Sequence, residues 1–128
     1  MNIPEGLMFT KEHEWVKIEG QQATVGITDY AQHSLGDITF VDLPKVGESV
    51  VQTKFLATVE SVKAASDVYA PLSGTVKMVN EKLKNSPETI NQSAYDQGWF
   101  AVIEIKDLKE KGNLMSAAAY KTYVEGLA

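Results

Sequence analysis

Val59-Glu60-Ser61-Val62-Lys63-Ala64-Ala65-Ser66-Asp67-Val68-Tyr69-Ala70-Pro71 is the stretch on which the reading of this chain turns. β-branched and polar residues lead up to Val62, and the pattern resumes after the small residues that follow Lys63. The pattern predicts strands over Phe55 to Val62 and Ser66 to Ala70, with a small-residue tip between them. A single lysine stands at that tip. Its small neighbours leave the amine open to a modifying enzyme, and two acids flank it, Glu60 three residues before and Asp67 four after. On the residues alone two readings stand. Lys63 is a solvated hairpin lysine among ordinary acids, or it is acylated and carries a prosthetic arm.

Outward from the hairpin, short strands continue in both directions. Glu14 to Ile18 and Gln22 to Ile27 read as a second hairpin about Glu19-Gly20. Thr28 is placed to cap a short helix over Asp29 to Leu35, which Gly36 stops. Ile38 to Leu43 is a strand ended by Pro44; Lys45 to Glu48 is a turn, and Ser49 to Val51 is extended. Pro71 to Gly74 reads as a turn with Gly74 at positive φ, followed by strands over Thr75 to Val79 and Trp99 to Ile105. In the last strand Trp99, Ala101, Ile103 and Ile105 share a face. Glu81 to Gly98 reads as a long polar connection that wraps the surface or serves a partner. Ser116 caps a C-terminal helix with Ala117, Tyr120, Val124 and Leu127 at helical spacing and Gly126 near its end. Pro44-x-x-Gly47 recurs as Pro71-x-x-Gly74, a four-residue echo that would place similar turns on either side of the central hairpin.

The composition narrows the chemistry. At 128 residues, 44% hydrophobic and 23% charged, the chain is expected to form one domain, residues 1–128. Every one of its twelve basic residues is lysine, and the net charge is -5, which argues against nucleic-acid binding. Cysteine is absent, so any thiol or disulfide chemistry must come from an added group. His13 and His33 are twenty residues apart without ligand spacing, and no metal site is expected. Glu12, His13 and Glu14 are read as alternating across a strand. Asn91-Gln92-Ser93 matches a glycosylation acceptor but reads as a polar loop. There is no phosphate loop, nucleophile elbow, convincing catalytic triad or paired carboxylates, so a non-catalytic protein is expected. The N-terminus lacks a signal pattern and no apolar run spans a bilayer. A cytoplasmic location without membrane attachment is the expectation, with a mitochondrial matrix protein as the case in which a leader has been removed.

Beyond the hairpin, Lys11-Glu12-His13-Glu14-Trp15-Val16, Val25-Gly26-Ile27-Thr28-Asp29-Tyr30-Ala31-Gln32, Leu35-Gly36-Asp37-Ile38 and Phe40-Val41-Asp42-Leu43-Pro44 complete a set of ordered motifs. Ser73-Gly74, Val79-Asn80, Pro87, Ile90-Asn91, Tyr95, Gly98-Trp99 and Leu114-Met115 extend it, and the chain resembles the H proteins of the glycine cleavage system from about Leu7 to Tyr123. The resemblance implies a mainly β fold, the lipoyl/biotinyl-carrier type barrel-sandwich hybrid of antiparallel strands, with short helices and a C-terminal helix. It implies lipoate in amide linkage on Lys63, and modifying enzymes (lipoate ligase or lipoyl/octanoyl transferase) that read Glu60 and Gly74. It also implies three working partners, glycine decarboxylase (P protein), aminomethyltransferase (T protein) and dihydrolipoyl dehydrogenase (L protein), between which the arm shuttles the aminomethyl group of glycine. Glu14 and Asp67 are implied as acids of a cleft that shelters the loaded, cationic arm; the plainer reading makes both surface acids. An acidic surface suits docking to basic patches on such partners.

Two positions depart from the family pattern. Gln52-Thr53-Lys54 stands where a glycine turn is common, and Ala94 replaces a frequent proline. A biotin carrier would typically place its lysine between methionines, whereas Val62 and Ala64 stand here. The lipoyl domain of a 2-oxoacid dehydrogenase lacks the block from Glu12 to Pro44. An H-like lipoyl donor, relaying the group to other lipoate-dependent enzymes, would share both fold and lysine, and a purely structural interaction domain would leave Lys63 unmodified.

Overall fold

A computed structural model describes residues 2–127. Among these residues nine strands form two antiparallel sheets. β1 (Met8–Phe9), β2 (Glu14–Glu19), β3 (Gln22–Ile27), β9 (Ala101–Ile105), β8 (Gly74–Val79) and β5 (Ser49–Val50) lie in that order in the larger sheet. β4 (Ile38–Asp42), β6 (Phe55–Ser61) and β7 (Ala65–Tyr69) make the smaller one. Neither closes into a barrel. Val16, Val25, Val76 and Ile103 from the larger sheet join Val41, Leu56, Val59 and Val68 from the smaller in one buried cluster, so the sheets share a core.

The alternation in the sequence is what sets this register. Ala101, Ile103 and Ile105 are buried with polar or partly exposed residues between them. Trp99 lies outside the strand and is only partly buried, whereas Phe100 is fully buried, so the expected face begins at Ala101. Thr28 and Ser116 cap α1 (Asp29–Leu35) and α4 (Ala117–Glu125); their hydroxyls accept from the amides of Ala31 and Ala119. α4 ends at Glu125, and Leu127 is exposed rather than part of the packed stripe. Its buried Tyr120 stacks on Phe9 at 4.7 Å between ring centres, and with Trp15 they form a second small core on the outer side of the larger sheet.

The connection from Glu81 to Gly98 is not an unstructured wrap. It contains α2 (Lys82–Asn85) and α3 (Thr89–Gln92), single turns that each bury an aliphatic side chain, Leu83 and Ile90. Asn91, read as part of a polar loop, is a structural bracket: its Oδ1 accepts from the Ile38 amide, and its Nδ2 donates to the Gly36 carbonyl and to Gln32 Oε1. A 3-10 helix, Leu108–Asn113, is also present.

Two further expectations are corrected. Gly74 does not have positive φ. It pairs with Val50 and Ile105, and a Cβ there would run into the Glu104 carbonyl. Close approach of backbone, not turn conformation, is what requires glycine. The Pro-x-x-Gly echo therefore has no structural meaning, because Gly47 does sit at φ +90° in an open turn. His13 is not in the strand; it lies in a bend at φ +70°, before β2 begins.

Candidate functional site

The β6–β7 hairpin closes with Val62 and Lys63 between Ser61 and Ala64. The Ser61 amide donates to the Ala64 carbonyl at 2.8 Å. Neither central residue has positive φ, so the turn is not one of the mirror-image types common in tight hairpins. The Ser61 hydroxyl holds it instead, accepting from the amides of Lys63 and Ala64 at 3.2 Å each. Lys63 is exposed, and so are Val62, Ala64, Ala65 and Ser66 around it. Val62 at 68% and Phe40 at 51% exposure add apolar surface near the tip. Phe40 lies on β4 opposite Glu60.

Glu60 and Asp67 are exposed on the smaller sheet. Thr58 Oγ1 donates to Asp67 Oδ1 at 3.5 Å, a weak contact. Gly74 lies in the other sheet, away from the Lys63 turn in the strand order. The structure thus brings Glu60 and Lys63 together on one hairpin and leaves Gly74 in the packed interior.

Glu14 is not a surface acid. It is 2% exposed, and in the β2 alternation it shares its face with buried Val16. Oε1 accepts from the Thr10 hydroxyl at 2.6 Å and Oε2 from the Tyr69 amide at 3.2 Å. Burial pushes its carboxyl up to about 7; the two hydrogen bonds oppose that, and the negative charge of Glu12 adds a little to it. The side chain forms part of the wall of a cleft of about 550 Å³, with Phe9, Thr10, Thr53, Tyr69 and Leu114. Asp67 is not among the lining residues, although it is two residues from Tyr69, so the two expected cleft acids are not equivalent.

Sequence reasoning missed the opposite wall. Gln52 receives hydrogen bonds on its side-chain oxygen from Asn113, donates to the carbonyls of Pro71 and Glu110, and donates its amide to Ser73 Oγ. Glu110 accepts from both the amide and the hydroxyl of Ser73. These contacts bind the 3-10 helix to the β5–β6 link and to the β7–β8 link just before Gly74. Beside them Thr53 takes φ +73°, a left-handed conformation that a β-branched residue adopts only under strain. Thr53 falls within Gln52-Thr53-Lys54, one of the two departures from the resembled pattern and the one visible signal. At the other departure, Ala94 supplies its carbonyl to Trp15 Nε1 at 2.9 Å, a bond that uses only the backbone of residue 94.

On the far side of β2, His13 Nδ1 and Thr28 Oγ1 both contact the Tyr120 hydroxyl, at 2.8 and 2.7 Å. Burial holds His13 below the usual imidazole range, opposed by Glu12. Among the described residues no group of three acids or histidines is arranged to hold a metal ion.

Fold and site together define a small antiparallel β module that presents one lysine on a hairpin tip, with a buried acid in the wall of a cleft that meets the other end of that hairpin at Tyr69. The glycine cleavage H-protein family model matches residues 7–126. The glycine cleavage system H protein of Coprothermobacter proteolyticus is 56% identical over 125 residues, spanning 97% of this chain and 98% of its own. That of Halothermothrix orenii is 51% identical over 98% of both. The crystal structure of the H protein from Mycobacterium marinum superposes with a TM-score of 0.89 at 36% identity, covering 96% of this chain and 99% of that one. The chain belongs to the glycine cleavage H-protein family.

Proposed function

We propose that this protein is the lipoyl carrier of a glycine cleavage system, modified on Lys63, and that it works as one domain, a non-catalytic shared substrate located in the cytoplasm. The observation that carries the reading is the exposed lysine, held among small residues on a hairpin tip, in a chain that matches the H-protein family over nearly all its length. Lys63 fits amide attachment: its amine is open and the tip is held by its own hydrogen bonds. A lipoyl group bound there supplies the disulfide that accepts the aminomethyl group of glycine and returns to the oxidised form after transfer, chemistry this cysteine-free chain lacks.

The chain's own residues then have three tasks. The hairpin presents Lys63 to a ligase or transferase, with Glu60 as the exposed charge for recognition. Val62 and Phe40 offer apolar contact, and the net negative surface steers docking to the decarboxylase, the aminomethyltransferase and the flavin dehydrogenase. Glu14 receives the cationic end of a loaded arm in the cleft, with Asp67 nearer its rim. A carboxyl that titrates near 7 is partly neutral in the empty cleft, so an incoming ammonium draws it to the charged form and releases part of a proton. No helix among the described residues is long and apolar enough to cross a membrane.

The test is the intact mass of the protein from lipoate-replete cells with the modified peptide mapped, followed by glycine-dependent carbon dioxide release with purified decarboxylase. One lipoyl amide on Lys63 and release dependent on this protein are expected. An unmodified lysine beside an active ligase would overturn the reading. A modified lysine that supports no glycine decarboxylation would favour the lipoyl relay role.

A further inference from the structure

The tip of the hairpin is not free-standing. The Val62 amide donates to the Asp37 carbonyl at 3.1 Å, tying the turn to the link between α1 and β4. Beneath it lies Gly36, at φ +78° and ψ -156°. A Cβ built on Gly36 would stand 3.1 Å from Lys63 Cε, 3.9 Å from Val62 Cγ2 and 4.0 Å from Lys63 Nζ. The lysine therefore runs back over a glycine, its stem packed and its amine at the surface. Asn91 fixes that glycine from below. Its side chain bridges the Gly36 carbonyl and the Ile38 amide, the two backbone groups on either side of Asp37. The Gly36 amide is held in turn by the Gln32 carbonyl at 3.0 Å.

We propose that Gly36, clamped by Asn91, is a positioning residue for modification of Lys63: it provides the flat seat on which the lysine stem rests, so that Nζ reaches a modifying enzyme from one direction. This rests on the carrier reading above. In the modification step Lys63 Nζ, having lost its proton to solvent, attacks the acyl carbon of an activated lipoyl donor, an acyl adenylate or acyl thioester. The N–C bond forms, the bond from the acyl carbon to the activating group breaks, adenylate or thiolate leaves with that bonding pair, and the nitrogen's second proton passes to the leaving group or to solvent; there is no net oxidation or reduction. Geometry matters here because the enzyme must bring Nζ to within attack distance of a carbon it holds rigidly. A free lysine has several rotatable bonds to fix, whereas one lying on Gly36 has part of that order already. The acidic residue three before the lysine reports which chain to modify; the glycine seat sets where the amine is.

Gly36→Ala tests this. The added methyl stands 3.1 Å from Lys63 Cε, so the stem must shift, and the left-handed backbone at Gly36 adds strain of its own, which is why folding is checked first. With folding checked by near-ultraviolet circular dichroism, kcat/KM for lipoylation by purified ligase is expected to fall at least about tenfold. Acylation of Lys63 by a small activated ester, mapped by mass spectrometry, should stay within about twofold of the wild type or rise, because that reagent needs no fixed direction. Unchanged ligase kinetics in the folded variant would overturn the proposal. So would a parallel loss with the small ester, which would mean that the amine has merely been buried. If Gly36→Ala does not fold, the wild-type protein decides by nuclear Overhauser contacts: the Lys63 ε-methylene must show one to the Gly36 α protons, and its absence overturns the seat. Failure of the wild-type chain to accept lipoate at all would instead sink the carrier reading.

Discussion

Replacing Glu14 by glutamine removes the one buried carboxyl of the cleft wall while keeping its shape. In the wild type the carboxyl titrates near 7 rather than at its ordinary 4.5, chiefly because burial disfavours the charge. Between those values the folded chain holds a proton that the unfolded chain has released. Stability from this group is therefore complete below about 4.5 and is lost as pH rises through 7. The whole difference amounts to about 3 kcal/mol, most of which falls between pH 5 and 8.5, where few other carboxylates titrate. Glutamine has no such dependence. Its oxygen can still accept from the Tyr69 amide, and its NH2 can donate to the Thr10 hydroxyl that formerly donated to Glu14.

The assay is urea unfolding of Glu14→Gln and the wild type at intervals from pH 5 to 8.5. The difference between the proteins is the informative quantity. His13, held below its ordinary range by burial, works in the opposite sense and gains stability as pH rises, but it is present in both chains and cancels. The variant should gain about 2 to 3 kcal/mol on the wild type across the range, which at a urea slope of about 1 to 2 kcal/mol/M moves its relative midpoint by roughly 1 to 2 M. Curves that run parallel within about 0.5 kcal/mol would refute the assignment of a neutral, buried Glu14, and with it the proton release proposed on loading.

Other consequences are simpler to state. Asp67→Asn should leave Lys63 modification intact but shorten the lifetime of the aminomethyl-loaded protein, read as ammonia release; an unchanged rate would remove Asp67 from the cleft's function. Thr53→Gly should raise stability by about 1 kcal/mol, since relief of a left-handed β-branched residue exceeds the added chain entropy; a lower urea midpoint would contradict that. Gly74→Ala forces a methyl against the Glu104 carbonyl and should cost about 3 kcal/mol or more, so a variant within about 1 kcal/mol of the wild type would refute the close-packing account. Raising salt from 50 to 300 mM, about a 2.4-fold fall in Debye length, should raise the apparent KM of the decarboxylase for this carrier; no change would count against electrostatic steering.

What could be read beforehand follows from the range of the interaction involved. The hairpins and the caps at Thr28 and Ser116 depend on residues within a few positions, and the strand pattern carried them. α2 and α3 were not visible because one turn with one buried residue, Leu83 or Ile90, has no periodicity to detect. Glu14 carried a signal that was open to use: it lies on the face of Val16, and an acid on an apolar face needs partners. The partners themselves, Thr10 and the Tyr69 amide, come from the link between β1 and β2 and from the other sheet, and only the assembled structure supplies them. The same holds for Gln52, whose bonds reach across to Pro71, Ser73, Glu110 and Asn113.

The three positions proposed to bear on Lys63 would work by different means. Glu60 is exposed on the same hairpin, so its charge is available to an enzyme directly. Gly74 is inside the larger sheet, where a modifying enzyme meets its effect only through the fold. Gly36 lies between these cases: the lysine stem passes over the space a Cβ there would take, a proximity that no residue count along the chain would reveal, twenty-seven positions away. Spacing from the lysine therefore does not rank the residues that matter to it. A fixed offset such as three before or eleven after mixes a recognised charge with a packing requirement, and the two separate only when variants are compared at equal fraction folded. At equal folded fraction, loss of Glu60 should still impair modification, loss of Gly74 should not, and Gly36 should impair the enzymatic reaction while sparing the small reagent.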